Sequence, residues 1–242
     1  MTRKRTPKWL QSARSGTWTE RKPEEKPDWI KRVLTRAGAL APDEVEAAVR
    51  AGRVSVAGRR VSEPMTLVRP GDEVRLDGRP VDRSRSTLVL AFHKPAGCIV
   101  STHDPGGAPT VFELLLAKLP PELARYGWHA VGRLDKETTG LLLFTNDERL
   151  VAHATLPQTH LPKRYLAEVQ GAPTEEDLEP LRRGVELEDG PARPARARVR
   201  GPGLVELTIT EGRNHQVKRM LGAVRFPVRR LHRESVGGLE LD

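Results

Sequence analysis

The chain has 242 residues, enough for one large domain or two modest ones with a buried core. Lysine and arginine number 41 against 32 acidic residues, and the formal charge of +9 favours a polyanionic partner. A single cysteine, Cys98, excludes a disulfide framework and a thiolate zinc site, and no apolar run approaches the roughly 20 residues of a membrane span. Residues 1–27 are basic, lack an apolar period and read as a disordered extension able to touch phosphates. No apolar core follows the first charges, so they do not read as a secretory signal, and the chain reads as cytoplasmic.

Residues 28–85 form a first unit. Ile30, Val33, Leu34 and Ala37 recur at helical spacing. Asp43 is placed to cap a second helix through Val45, Ala48 and Val49, and Gly52 to end it. Short β segments follow around Val54, Val61 and Val74, with Gly58 and Gly71 at turns. Lys31, Arg32, Arg36 and Arg53 give this unit a basic face. Residues 79–86 are a polar connector.

Residues 86–242 form a second, larger unit. Strands are predicted at 87–92, 140–145, 164–169, 195–200, 204–210 and 228–231. Helices are predicted at 112–119, after Asp147, at 173–183 and at 214–223. The order is α+β, with a mixed, mainly antiparallel sheet and flanking helices. No internal repeat and no glycine-rich phosphate loop is present.

The stretch from Gly132 to Asp147 carries the chemistry. Asp135 lies in a polar loop just before a buried strand, a placement that projects a carboxylate into a cleft. Thr138 and Thr139 are suited to bond the loop backbone, and Gly140 lets another backbone approach closely. Lys218 and Arg219 lie beside the apolar stripe Val217, Met220 and Leu221, and Tyr165 lies on an alternating strand. His215 has no second ligand at metal-binding spacing. By type alone, an aspartate in a turn is usually structural, and surface arginines are usually solvated.

The wider motifs change that weighting. "AGRVSVAGRRV" followed by "VRPGDEV", after two helices, resembles the S4 RNA-binding domain. In that resemblance Lys31, Arg32, Arg36 and Arg53 grip folded RNA through phosphates. "GRLDxxTxGLLLxTND" resembles the signature of the RsuA/RluB-type pseudouridine synthases, and "HKPAGCIVST", "PKRYLAEV" and "EGRNHQVKRMLGAV" resemble their accompanying motifs. Several stretches are most similar to the branch that modifies small-subunit ribosomal RNA; the large-subunit branch carries nearly the same motifs.

The resemblance implies the pseudouridine synthase fold, isomerisation of uridine to pseudouridine, and neither a cofactor nor a metal. It makes Asp135 the catalytic carboxylate, Lys218 its cationic partner with Arg219 as fallback, and Tyr165 the stacking residue. Arg133 would hold the everted nucleotide, with Arg213, Arg219 and Lys163 on the flanking RNA. The implied partner is ribosomal RNA or an assembling subunit, met by a monomer. A non-catalytic S4-type assembly factor needs only the first unit, and a glycosidase would require a second cooperating carboxylate.

Overall fold

The computed structural model describes residues 27–83 and 87–241. Apart from Pro27, the basic extension lies outside the described residues.

The first elements are β1 (Asp28–Trp29), α1 (Ile30–Arg36), α2 (Glu44–Arg50), β2 (Val54–Val56), β3 (Arg59–Arg60), β4 (Leu67–Val68), β5 (Val74–Leu76) and β6 (Arg79–Pro80). Both helices bury the residues that the 3.6-residue period selects, Ile30, Val33 and Leu34 against Val45, Ala48 and Val49. Strands β3-β2-β5-β6 complete the layer, and these elements share a hydrophobic cluster of their own. Gly52 turns the chain out of α2 at φ +68. Asp43 occupies the N-cap but makes no capping bond. The Glu44 carboxylate instead accepts from the Ala41 amide at 2.8 Å.

The second unit runs β7 (Val89–Lys94), α3 (Val111–Leu116), α4 (Pro121–Ala124), β8 (His129–Ala130), β9 (Thr139–Thr145), α5 (Glu148–Thr155) and β10 (Lys163–Val169). It continues with α6 (Glu179–Arg183), β11 (Glu186–Leu187), β12 (Gly190–Pro191), β13 (Arg196–Gly201), β14 (Leu204–Ile209), α7 (Gln216–Ala223), β15 (Val228–Val236) and β16 (Leu239–Glu240). Eight strands form one sheet along β13-β14-β10-β15-β9-β7, with β16 on β15 and β8 on β9. Among the named strands only the β9–β15 pairing is parallel, and an isolated bridge between Ile99 and Thr110 is parallel as well. Strand β9 is apolar on both faces because both are covered. Leu142 and Phe144 join the main core, whereas Leu141 and Leu143 join a second cluster with Val131, Ala154, Leu161 and Val236.

Two predicted elements change extent. The helix expected over 173–183 shrinks to α6: after the Thr174–Asp177 cap the amides of Leu178 and Glu179 reach back only three residues, to Glu175 and Glu176, and Pro180 has no N–H to give the Glu176 carbonyl. The strand expected over 228–231 extends to Val236, held by β10 on one side and β9 on the other.

The two units meet at the end of α1. The carbonyls of Thr35, Arg36 and Ala39 accept from the Gly127 amide (3.1 Å), Asn146 Nδ2 (3.1 Å) and Arg125 Nη2 (2.7 Å). The Thr35 carbonyl also accepts from the Gly38 amide at 3.1 Å, and the larger unit adds donors at and just past the end of α1, where helix carbonyls lack intrahelical partners.

Candidate active site

Asp135 ends the loop that leads into β9. The Thr138 amide donates to its carbonyl at 3.0 Å, closing a β-turn. Beneath the turn, Lys94 at the end of β7 is fully buried. Its ammonium donates to the carbonyls of Pro95 (2.9 Å), Lys136 (2.8 Å) and Thr138 (2.9 Å). Burial pushes its pKa down, and the nearby Cys98, Glu137 and Asp135 oppose that. The expected threonine contacts fall elsewhere: the Thr139 hydroxyl lies 2.8 Å from His232 Nδ1, and Thr138 Oγ1 is buried without a partner among the described residues.

Gly140 is where close approach is needed. Its φ is +108, and a Cβ there would lie 2.6 Å from the Arg233 amide nitrogen and nearer still to the Arg233 carbonyl oxygen. This is the backbone contact of the parallel β9–β15 pair, with Gly140 opposite Arg233.

The Asp135 carboxylate, 29% exposed, opens onto a cavity of about 580 Å³. Helix α7 supplies its counter-charges: Lys218 Nζ lies 3.0 Å from Oδ2 and His215 Nε2 3.6 Å from Oδ1. His215 stands at the N-cap of α7 with φ +49, a left-handed conformation that sets its ring beside the loop. Tyr165, 7% exposed, and Lys163 line the cavity from β10, Arg133 and Asp135 from the loop before β9, and Arg213 from the loop before α7. Lys218 stands beside Asp135 on α7, so the six residues come together from separate parts of the chain.

Other predicted residues are committed elsewhere. Arg219 does not reach Asp135. It makes a two-pronged pair with Asp189, at 2.8 and 3.0 Å, because the β11–β12 hairpin brings that carboxylate alongside α7. The Arg219 hydrogen bonds hold the Asp189 carboxyl down at about 2. Arg213 also contacts Asp189 (3.3 Å) and donates to the carbonyls of Gly190 and Pro191. On the first unit, Arg36 pairs with Asp28 at 2.8 Å, Arg53 with Asp77 at 2.7 Å, and Arg32 with Glu148 at 3.3 Å. Of the four residues expected to grip RNA there, these three already hold acids of the same chain. Lys31 is half-buried on α1.

Sequence reasoning missed Lys94 and Arg233 and weighed His215 as a metal ligand. No pattern in "HKP" or "LHRES" marks a buried cation; only strand pairing does. Among the described residues no group of three metal-binding side chains occurs.

The site has the Asp135 carboxylate with a cation at salt-bridge distance, a second carboxylate, Glu211, on the cavity wall, an aromatic ring and basic side chains around the mouth. That arrangement suits a ring-shaped, phosphate-flanked substrate. The model of the RNA pseudouridylate synthase family matches residues 88–223. A protein named ribosomal large subunit pseudouridine synthase B from Salmonella typhi is 39% identical over 221 residues, covering 88% of this chain and 74% of that protein. The protein of the same name from Escherichia coli strain K12 gives the same identity and coverage. A crystal structure of a pseudouridylate synthase matches with a TM-score of 0.60 at 30% identity, covering 88% of this chain and 90% of that one. The chain belongs to the RNA pseudouridylate synthase family and is an isomerase with that fold.

Proposed function

We propose that this enzyme isomerises uridine to pseudouridine in large-subunit ribosomal RNA, with Asp135 as the reactive carboxylate. The motifs had leaned towards the small-subunit branch, but the 39% identical relatives carry large-subunit names, and their names outweigh short stretches that both branches share.

In the reaction the N1–C1′ bond breaks, the uracil turns, and C5 joins C1′. Nothing is oxidised or reduced. The observation that carries the assignment is Asp135, partly shielded at the cavity, with Lys218 Nζ 3.0 Å away. Lys218 faces that carboxylate at salt-bridge distance and supplies the positive charge beside it once the substrate excludes water. Tyr165 would stack on the uracil, and Arg133 and Lys163 would hold the everted nucleotide. Eversion costs a few kcal/mol, least for unpaired bases, so a loop or bulge of folded RNA is the substrate this site suits.

Residues 86–242 are assigned the catalysis and residues 28–85 an S4-like RNA-binding role. The latter rests on the order of two helices before a small sheet and on the unit's separate core. Acting on ribosomal RNA or an assembling subunit, the protein would work as a monomer in the cytoplasm.

The test is to incubate the protein with large- and small-subunit ribosomal RNA and map pseudouridine by carbodiimide treatment and primer-extension stops. A new stop in the large-subunit RNA supports the proposal. A stop only in the small-subunit RNA moves the enzyme to the other branch, and RNA binding without any stop makes the chain a binder.

A further inference from the structure

Arg233 is a large, fully buried side chain, 2% exposed, at the middle of the sheet. A guanidinium carries five N–H donors. Here Nε donates to the Leu141 carbonyl at 2.7 Å and Nη1 reaches the Arg133 carbonyl only at 3.5 Å. Nη2 has no hydrogen-bond partner, and Arg233 forms no carboxylate ion pair, among the described residues. Lys94, the other fully buried cation, offers the contrast: it directs its ammonium at three carbonyls and does not line the cavity. Arg233 leaves a donor unfilled and does line it.

An unpartnered buried donor on a cation is expensive. Beside Leu231 and Tyr165 an apolar side chain would fill the same slot without desolvating a charge. The unfilled donor therefore points to a ligand. Strand register says which part of the ligand. Arg233 is directly opposite Tyr165 across β10–β15 and opposite Gly140 across β9–β15. Side chains opposite one another on paired strands share a face, and Lys163, two residues from Tyr165, joins them. Burial first, then the Arg233 charge, pushes the Lys163 pKa down, so the two cations are close enough to feel each other. An RNA chain that continues in both directions keeps its phosphates near the mouth. The everted base is what reaches a side chain this deep.

Resting on the reading of the cavity as the nucleoside site, we infer that Arg233 contacts the reacting base: Nη2 donates to one carbonyl oxygen, O2 or O4, of the uracil stacked on Tyr165. The contact strengthens during reaction. When the N1–C1′ bond breaks, its electron pair stays with the base and spreads from N1 onto O2 and O4. C5 then bonds C1′ and gives up its proton, and N1 takes one. Arg233 keeps its own protons throughout and faces the oxygen where negative charge gathers.

The test uses RNA whose target uridine is replaced by 2-thiouridine or 4-thiouridine, since sulfur accepts hydrogen bonds poorly. Single-turnover rates are measured for the wild type and Arg233→Gln. One of the two thio substitutions should slow the wild type roughly tenfold. The same substitution should slow Arg233→Gln by less than about twofold, because the lost bond was already absent. A purely structural arginine would slow all three RNAs alike in the variant. Equal thio penalties in both proteins, or none in the wild type, overturn the inference. If Arg233→Gln does not fold, the wild-type complex with 5-fluorouridine RNA decides: Nη2 within about 3.2 Å of O2 or O4 supports the contact, and a separation beyond about 4 Å overturns it. Absence of pseudouridine from wild type acting on unsubstituted RNA would instead remove the reading of the site.

Discussion

Replacing Lys94 by Met tests how the loop that carries Asp135 is held. Methionine keeps most of the apolar stem and removes the ammonium, with its bonds of 2.8–2.9 Å to the carbonyls of Pro95, Lys136 and Thr138. The Lys136 carbonyl still accepts from the Gly97 amide, and the Pro95 carbonyl from Cys98 Sγ. Among the described residues the Thr138 carbonyl keeps no side-chain donor. Each carbonyl left short inside the protein costs about 1–3 kcal/mol. Removing the ammonium returns part of its desolvation penalty. The net expectation is a destabilisation of about 2–4 kcal/mol, read as a lower urea midpoint with unchanged slope. Two of the three carbonyls lie within three residues of Asp135, so kcat should fall too. KM for RNA should hold, because phosphate contacts elsewhere carry most of the affinity. Stability within about 0.5 kcal/mol of the wild type, together with full turnover, would refute the claim that this ammonium fixes the loop.

Gly140→Ala should lower the melting temperature sharply, by about 3 kcal/mol or more of stability, from the left-handed φ and the clash with the Arg233 backbone; an unchanged melting curve would contradict the close approach. Lys218→Met should slow single-turnover pseudouridine formation roughly tenfold or more, while Lys218→Arg, which keeps the charge beside Asp135, should retain most of it; equal rates in the two variants would remove Lys218 as the counter-ion. Asp189→Asn tests the pair behind α7 by its pH dependence. Arg219 depresses the Asp189 pKa from 3.8 to about 2, so the stability this carboxylate adds is fully present above about pH 4 and lost as pH falls towards 2. The urea-midpoint gap between wild type and Asp189→Asn should shrink over that window, and a gap independent of pH would contradict the coupling.

The local features of the fold were legible, and the long-range ones were not. The Asp147 cap was readable from the chain, and the Asp147 carboxylate does accept from the Arg149 amide at 3.0 Å at the start of α5. Gly140 announced a close approach, but nothing adjacent to it named Arg233, 93 residues on, as the approaching backbone. Arg219 and Lys218 are neighbours with the same charge; what separates their roles is Asp189 on a two-strand hairpin that carries no apolar alternation. The basic face of the first unit shows a related limit: a sequence counts charges, while in the fold Asp28 pairs with Arg36 and Asp77 with Arg53. Arg233 had the plainest disguise. In "LHRES" it reads as one more surface arginine, and only the burial of β15 between β9 and β10 turns it into a cation beneath the site.

The central claim is that the Asp135 carboxylate is the reacting group. Asp135→Asn preserves the size of the side chain and its loop while removing the charge that faces Lys218. Pseudouridine formation in ribosomal RNA by this variant, measured beside its RNA affinity, should be abolished with binding nearly intact. Turnover at the wild-type rate would contradict the account.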